Sequence, residues 1–371
     1  MSSEYRNDKL KEISKKNQEL EKMMPRFIHS YIYGMEENIS ALSINIYLQR
    51  LYTFFRFLHE NNPELASVDI CDIPFSVIEQ LTSEDIDEFL HNTRQKITDS
   101  PTASNKTSIA VRVSKTINNY YSALNSFFHF FYIRGKLSEN IMEKVSRARN
   151  RNINKPFVDG YEEQERFLTS ARSEGTSDQE KAYRGKYGIS QRDYMICLTF
   201  LRTGLRVSEL VSLDLSDVRL DTHCFTVLRK EDKDVRVYFD DDYEKELKEY
   251  VDTRLEQVRS SSHPLSKPLF AVEVGKYKGK RLSVRSVQKL VKHYAQAAGL
   301  EDASRITPHR LRASFASNLL QATDRNLYVV QQRMSHESPK TTEIYLRKDV
   351  DLADTRNALK KRLCVTMPAS K

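Results

Sequence analysis

Apolar residues in the first third of the chain recur every three or four positions. Ile44, Tyr47, Leu48, Leu51, Phe54, Phe55 and Leu58 form one such stripe, and Ile117, Tyr120, Tyr121, Leu124, Phe127, Phe128 and Phe131 a second. That spacing places each set on one face of an α-helix. Aromatic residues in such a stripe can stack on nucleic-acid bases, but helical spacing with polar residues between marks a face buried in a helical core. Residues 26–145 therefore read as four or more short helices. Within them Thr82-Ser83-Glu84-Asp85 opens a helix with Thr82 or Ser83 as its cap, and Asp99 to Lys106 reads as a loop. The charged stretch 1–25 is expected to be a polar helical lead-in.

The pattern changes after Val145. Ser146 to Pro156 is basic, lacks an apolar period and closes in proline, so 146–157 reads as an interdomain linker, either solvated or lying along phosphates. From 158 to 350 the pattern is again mostly helical, with a loop at Ser173 to Asp178 and one β element. Cys224 to Arg229 and Val235 to Phe239 are short β-prone runs joined by Lys230 to Asp234, a hairpin whose turn has no glycine. Thr203-Gly204 closes a helix, with Gly204 as a left-handed cap, and the next helix starts near Val207. Thr307-Pro308 is a helix start with threonine as cap and proline in the first helical position. Its apolar stripe is Leu311, Phe315 and Leu319, with His309 and Arg312 expected on the other face. An apolar helix covers Leu327 to Met334, and Ser338-Pro339 opens one that carries Tyr345. In the tail, 351–371, Leu352, Ala353, Arg356, Leu359, Lys360 and Leu363 form a short amphipathic helix, suited either to a neighbouring subunit or to its own domain.

At 371 residues the chain is long enough for two domains, each with its own core. A formal charge of +8 favours a polyanionic partner only if phosphate-handling residues accompany it. No apolar run is long enough to span a membrane, and the N-terminus has no apolar signal core. The four cysteines, Cys71, Cys197, Cys224 and Cys364, are scattered, so a reducing cytoplasm is the expected location. No glycine-rich phosphate loop, cofactor motif or metal-ligand spacing is present, so no cofactor is expected.

Phosphate-handling residues do occur, in four clusters: Arg206 in Thr203 to Leu210, Lys230 at the hairpin, His309 and Arg312 at the helix start, and His336 with Tyr345 nine residues on. Singly, each is more often an ordinary surface residue. Together they supply what attack on a phosphodiester by a phenol requires. Guanidinium forks bind two phosphate oxygens and offset the charge that builds on phosphorus. A phenol with a free pKa of about 10 needs nearby cations or a base to act as a nucleophile. A lysine whose proton is loosened by neighbouring cations can protonate a leaving oxygen; Lys233 competes with Lys230 for that part. Glu209 is placed to orient Arg206.

In these motifs the chain resembles the tyrosine recombinase, or phage integrase, family and its Xer-like group. The resemblance rests on Thr203-Gly204-Leu205-Arg206-Val207-Ser208-Glu209-Leu210, on His309-Arg310-Leu311-Arg312, and on Ser335-His336 followed by Thr341 to Tyr345, and it runs from about residue 26 onward. It implies a mainly α fold with a small antiparallel β element: a helical SAM-like core-binding domain over 26–145 and an α+β catalytic domain over 158–350, closing as a C-shaped clamp on DNA. It implies Tyr345 as nucleophile, with Arg206, Lys230, His309, Arg312 and His336 completing the site and Lys230 chosen over Lys233 by its offset from Arg206. The implied reaction forms a 3′-phosphotyrosyl link and a free 5′-hydroxyl without ATP or metal, in a homotetramer on two double-stranded DNA duplexes with inverted-repeat core sites. The chain departs from the family's usual glycines, with Arg229 and Glu231 flanking Lys230 and Ser335 before His336. Two other readings are a non-cleaving DNA-binding module on the same scaffold and a type IB topoisomerase. The full set of six residues disfavours the first, and the two histidine boxes, the chain length and the helical first block disfavour the second.

Overall fold

The computed structural model describes residues 2–99, 106–148, 158, 160–173, 182–185, 187–229, 234–259 and 267–334. The chain divides into two compact units, one spanning Arg6–Ile153 and the other Asn154–Lys371 together with Met1–Tyr5.

The first unit is helical: α1 (Ser2–Glu21, from Arg6 onward), α2 (Ile28–Glu36), α3 (Ala41–Asn61), α4 (Phe75–Glu79), α5 (Ser83–Thr98) and α6 (Lys106–Ile133). Within 26–145, where the pattern predicts short helices, α3 and α6 are long, at 21 and 28 residues. Both apolar stripes are core: Leu51, Phe54, Phe55, Leu124, Phe127 and Phe128 are fully buried, with Tyr47 and Tyr121 packed at the margin. Rings meet edge to face, as in Phe54 on Phe89 and Phe127 on Phe131, both at 5.1 Å between centroids, a geometry that adds to simple area burial. The predicted cap of α5 is Thr82. Its hydroxyl accepts from Asp85 N (3.4 Å), and the Asp85 carboxylate accepts from Thr82 N (2.8 Å), a reciprocal capping box.

The second unit contains α7 (Tyr161–Ser173), α8 (Ile189–Thr203), α9 (Val207–Ser212), strands β1 (Val218–Arg219), β2 (Cys224–Leu228) and β3 (Asp234–Tyr238), then α10 (Asp241–Arg259), α11 (Val284–Ala297), α12 (Pro308–Ala322) and α13 (Leu327–Met334). Helix α8 runs through the centre, packed by α7, α10 and α12. It is buried on nearly every side from Arg192 to Leu201. Its polar groups are satisfied inside: Thr199 shares a 2.7 Å hydrogen bond with the Tyr243 hydroxyl, and Asp193 accepts from Arg184, Arg192 and Tyr294. The predicted hairpin is present, with β2 and β3 antiparallel in register from Cys224 opposite Tyr238 to Leu228 opposite Asp234. A third strand, β1, pairs on the outer side of β2 and completes an antiparallel sheet in the order β1-β2-β3. Phe225, Val227 and Val237 face the core, and Cys224 is buried at the start of β2.

Among the described residues no helix is long and apolar enough to cross a membrane. Linker residues 149–157, the helix expected to carry Tyr345 and the tail 351–371 lie outside the described residues.

Candidate active site

The turn between α8 and α9 presents Arg206. Gly204 closes α8 with φ +63°, the left-handed conformation expected of it. Glycine is required there twice over, because a Cβ at this position would lie 2.3 Å from Cδ1 of Phe315 on α12. Arg206 follows as the N-cap of α9. Glu209 closes the first turn by accepting from Arg206 N (2.8 Å) and from Arg206 Nη1 (2.8 Å), so it orients the arginine as expected. The Arg206 side chain keeps 43% of its surface exposed, while Glu209 keeps 6%.

A second arginine reaches the same carboxylate. Arg229, at the end of β2, donates from Nε to Glu209 Oε1 at 3.0 Å and is itself buried. Burial works against ionisation of Glu209. The Arg229 charge, with hydrogen bonds and charge from Arg206, outweighs it and holds the carboxyl below the usual glutamate range. At its other end α9 is closed by Arg281, which donates from Nη1 to the carbonyls of Val211 (2.8 Å) and Leu213 (2.9 Å) and pairs with Asp214.

Thr307 and Pro308 start α12 at the expected place, but the threonine hydroxyl makes no capping bond. The first turn closes instead through the Thr307 carbonyl, which accepts from Arg310 N (2.7 Å) and Leu311 N (3.1 Å). His309 is exposed in this turn. Arg312 does not lie beside it on an open face, as the spacing suggested: it is 3% exposed. The correction has a clear cause. Leu311 belongs to the main core, Phe315, Ala316 and Leu320 pack with Val330 and Met334, and the helix is thereby enclosed on both flanks. A guanidinium so buried needs acceptors. Arg312 donates from Nη1 to the carbonyl of Gly204 and from Nη2 to the carbonyl of Met334 (2.5 Å). One side chain thus joins the backbone two residues before Arg206 to the backbone two residues before His336.

Arg206, His309 and Arg312 are placed by the structure, whereas Lys230, Lys233, His336 and Tyr345 lie outside the described residues. Two supporting residues escaped the sequence reading. Arg281 sits in a basic lysine-rich run that reads as solvated surface, and nothing local marks it as buried. Arg229 was visible only as a departure beside Lys230; its β-strand position with an inward period was the usable signal. Elsewhere, His223, Asp241 and Glu244 form a surface group with ligand-type atoms within 4.8 Å of one another, in which His223 Nδ1 lies 2.8 Å from a Glu244 carboxylate oxygen.

A mainly helical architecture with one small antiparallel sheet, built around an arginine-bearing turn, is the fold of the tyrosine recombinases, a class of DNA strand-transferring enzymes. More particularly, residues 182–351 match the model of the phage integrase family. Tyrosine recombinase XerS of Streptococcus gordonii is 28% identical over 361 residues, covering 92% of this chain and 96% of that protein. Tyrosine recombinase XerC of Caldanaerobacter subterraneus subsp. tengcongensis is 27% identical over 331 residues, covering 87% and 82% respectively. Among solved structures, the XerH site-specific recombinase bound to palindromic difH substrate, in a post-cleavage complex, matches with a TM-score of 0.61 at 22% identity, covering 87% of this chain and 81% of that one.

Proposed function

We propose that the chain is an Xer-like site-specific recombinase that cuts and rejoins double-stranded DNA through a 3′-phosphotyrosyl intermediate. The observation that carries this reading is the Arg312 side chain, whose two buried bonds gather the Arg206 turn, the His309–Arg312 helix and the segment leading to His336 around one point. In the proposed step the Tyr345 phenolic oxygen attacks phosphorus and the bond from phosphorus to the 5′-oxygen breaks. Tyr345 gives its proton to His309, and Lys230 protonates the departing 5′-oxygen. Arg206 and Arg312 offset charge on the non-bridging oxygens, with His336 beside them. The 5′-hydroxyl of a partner strand then reverses the step, and the phosphodiester energy stays in the protein link throughout. Residues 26–145 serve as the core-binding domain and 158–350 as the catalytic domain. A homotetramer on two duplexes with inverted-repeat core sites, closed by the 351–371 tail, completes the reading, and excision, integration or resolution are its biological uses.

The test is a suicide substrate nicked beside the cleavage point. Wild type is expected to form a covalent complex and Tyr345→Phe none; a complex that survives in Y345F overturns the tyrosine assignment. No complex with wild type on its cognate site favours the non-cleaving DNA-binding module. Covalent trapping without exchange between two sites favours the topoisomerase reading. Comparing Lys230→Ala with Lys233→Ala assigns the general acid, with the larger loss of cleavage expected in K230A.

A further inference from the structure

We propose that Arg229 is a positioning residue of this site: through the shared Glu209 carboxylate it holds Arg206 ready for the scissile phosphate. The inference rests on the strand-transfer reading above. Glu209 Oε1 accepts from Arg206 Nη1 at 2.8 Å and from Arg229 Nε at 3.0 Å, and Oε2 accepts from Arg206 N at 2.8 Å. Taken without Arg229, the contact is an i,i+3 pair between neighbours on one short helix, with the arginine 43% exposed. Such a pair is weak and screened, and does not by itself keep a carboxylate that is 6% exposed both ionised and still. Arg229 changes that balance. Its side chain is 9% exposed, and it follows directly on β2, twenty residues further along the chain.

The two buried members, Glu209 and Arg229, form the fixed part, and Arg206 is the member that reaches solvent. Among the described residues, the bonds of Arg206 use its backbone N and Nη1, leaving Nε and Nη2 for a ligand. A guanidinium held by one edge and open at the other binds a phosphate without first paying to order itself. Losing Arg229 leaves a buried carboxylate with Arg206 as its remaining charged partner among the described residues, which draws the open edge inward and away from the phosphate.

The test is single-turnover cleavage of the suicide substrate by full-length wild type, Arg229→Gln, Arg229→Lys, Arg206→Ala and the R206A/R229Q double variant, with DNA Kd measured in parallel. R229Q is expected to cleave about tenfold more slowly with Kd changed less than about threefold, because orientation is lost rather than docking. R229K, which keeps the charge, is expected to recover most of the rate. R206A/R229Q is expected to be no slower than R206A, since the effect passes through Arg206. If R229Q does not fold, R229K carries the test, with an expected loss of about threefold from the misplaced donor that disappears in the R206A background. Wild-type rates in R229Q, or in R229K where it carries the test, or the same fold loss with and without Arg206, overturn the inference. A wild-type protein that forms no covalent complex, or a Y345F protein that does, overturns the strand-transfer reading instead.

Discussion

Gly204→Ala tests whether the turn before Arg206 is built on a true steric requirement. The residue has φ +63°, where alanine costs about 1–2 kcal/mol relative to glycine. The added Cβ would also lie 2.3 Å from Cδ1 and 2.9 Å from Cε1 of Phe315, so ring or backbone must move. Overpacking of this kind costs about 1–3 kcal/mol, giving a total of about 2–5 kcal/mol, a large share of the stability of an ordinary domain. The measurement is urea unfolding of the full chain for wild type, G204A, F315A and the double variant. Removing the Phe315 ring relieves the clash but not the backbone strain. The double variant is therefore expected to be less destabilised than the sum of the singles by the overpacking part, about 1–3 kcal/mol. G204A should also slow DNA cleavage, because the Gly204 carbonyl is an acceptor for Arg312. Additive energies, or a G204A loss below about 1 kcal/mol, would refute the steric account.

Glu209→Gln removes the negative charge of a buried pair and turns one of its two acceptor oxygens into a donor, and is expected to cost about 2–4 kcal/mol, carried mainly by Arg229 because Arg206 is half exposed. Because Glu209 is held below its ordinary range, its contribution is full above the unfolded value of about 4.3 and is lost as pH falls through the lower folded value. The gap between wild type and E209Q in urea midpoints should thus be constant at neutral pH and shrink in acid; a gap that widens in acid contradicts the assignment. Arg281→Met strands the Val211 and Leu213 carbonyls and Asp214, with an expected loss of about 3–5 kcal/mol that a thermal melt would register. Thr82→Ala removes half of the α5 capping box at an expected cost of about 1 kcal/mol, read as faster amide exchange in the first turn of α5 with no change at α9.

What the sequence made legible was whatever local rules govern. The α3 and α6 stripes, the Gly204 cap, the β2–β3 hairpin and the Thr307-Pro308 start each depend on residues near one another in the chain, and each is present. Strand β1 was missed because two residues are too few to show a period. The burial of Arg312 was missed for a different reason. Spacing places His309 and Arg312 near one another on a helix, but only tertiary packing says that the face of Arg312 is covered. The same holds for Arg281, whose acceptors lie 70 and 68 residues away. Long-range partners of charged residues leave no periodic trace, so an arginine at the surface and an arginine in the core look alike in the chain.

That blind spot bears on how the site works. Helix α9 has six residues, too few to be stable alone. Three arginines from elsewhere in the chain hold it: Arg312 of α12 at the carbonyl of Gly204 just before it, Arg229 just after β2 at the Glu209 carboxylate within it, and Arg281 at the carbonyls of Val211 and Leu213 where it ends. All three are largely buried, so their bonds are screened little by water or salt. Arg206 caps this clamped helix and is the arginine of the set that stays substantially exposed. On the strand-transfer reading proposed above, the cost of placing the Arg206 guanidinium is met when the protein folds rather than when DNA binds, which is the condition for spending binding energy on the transition state.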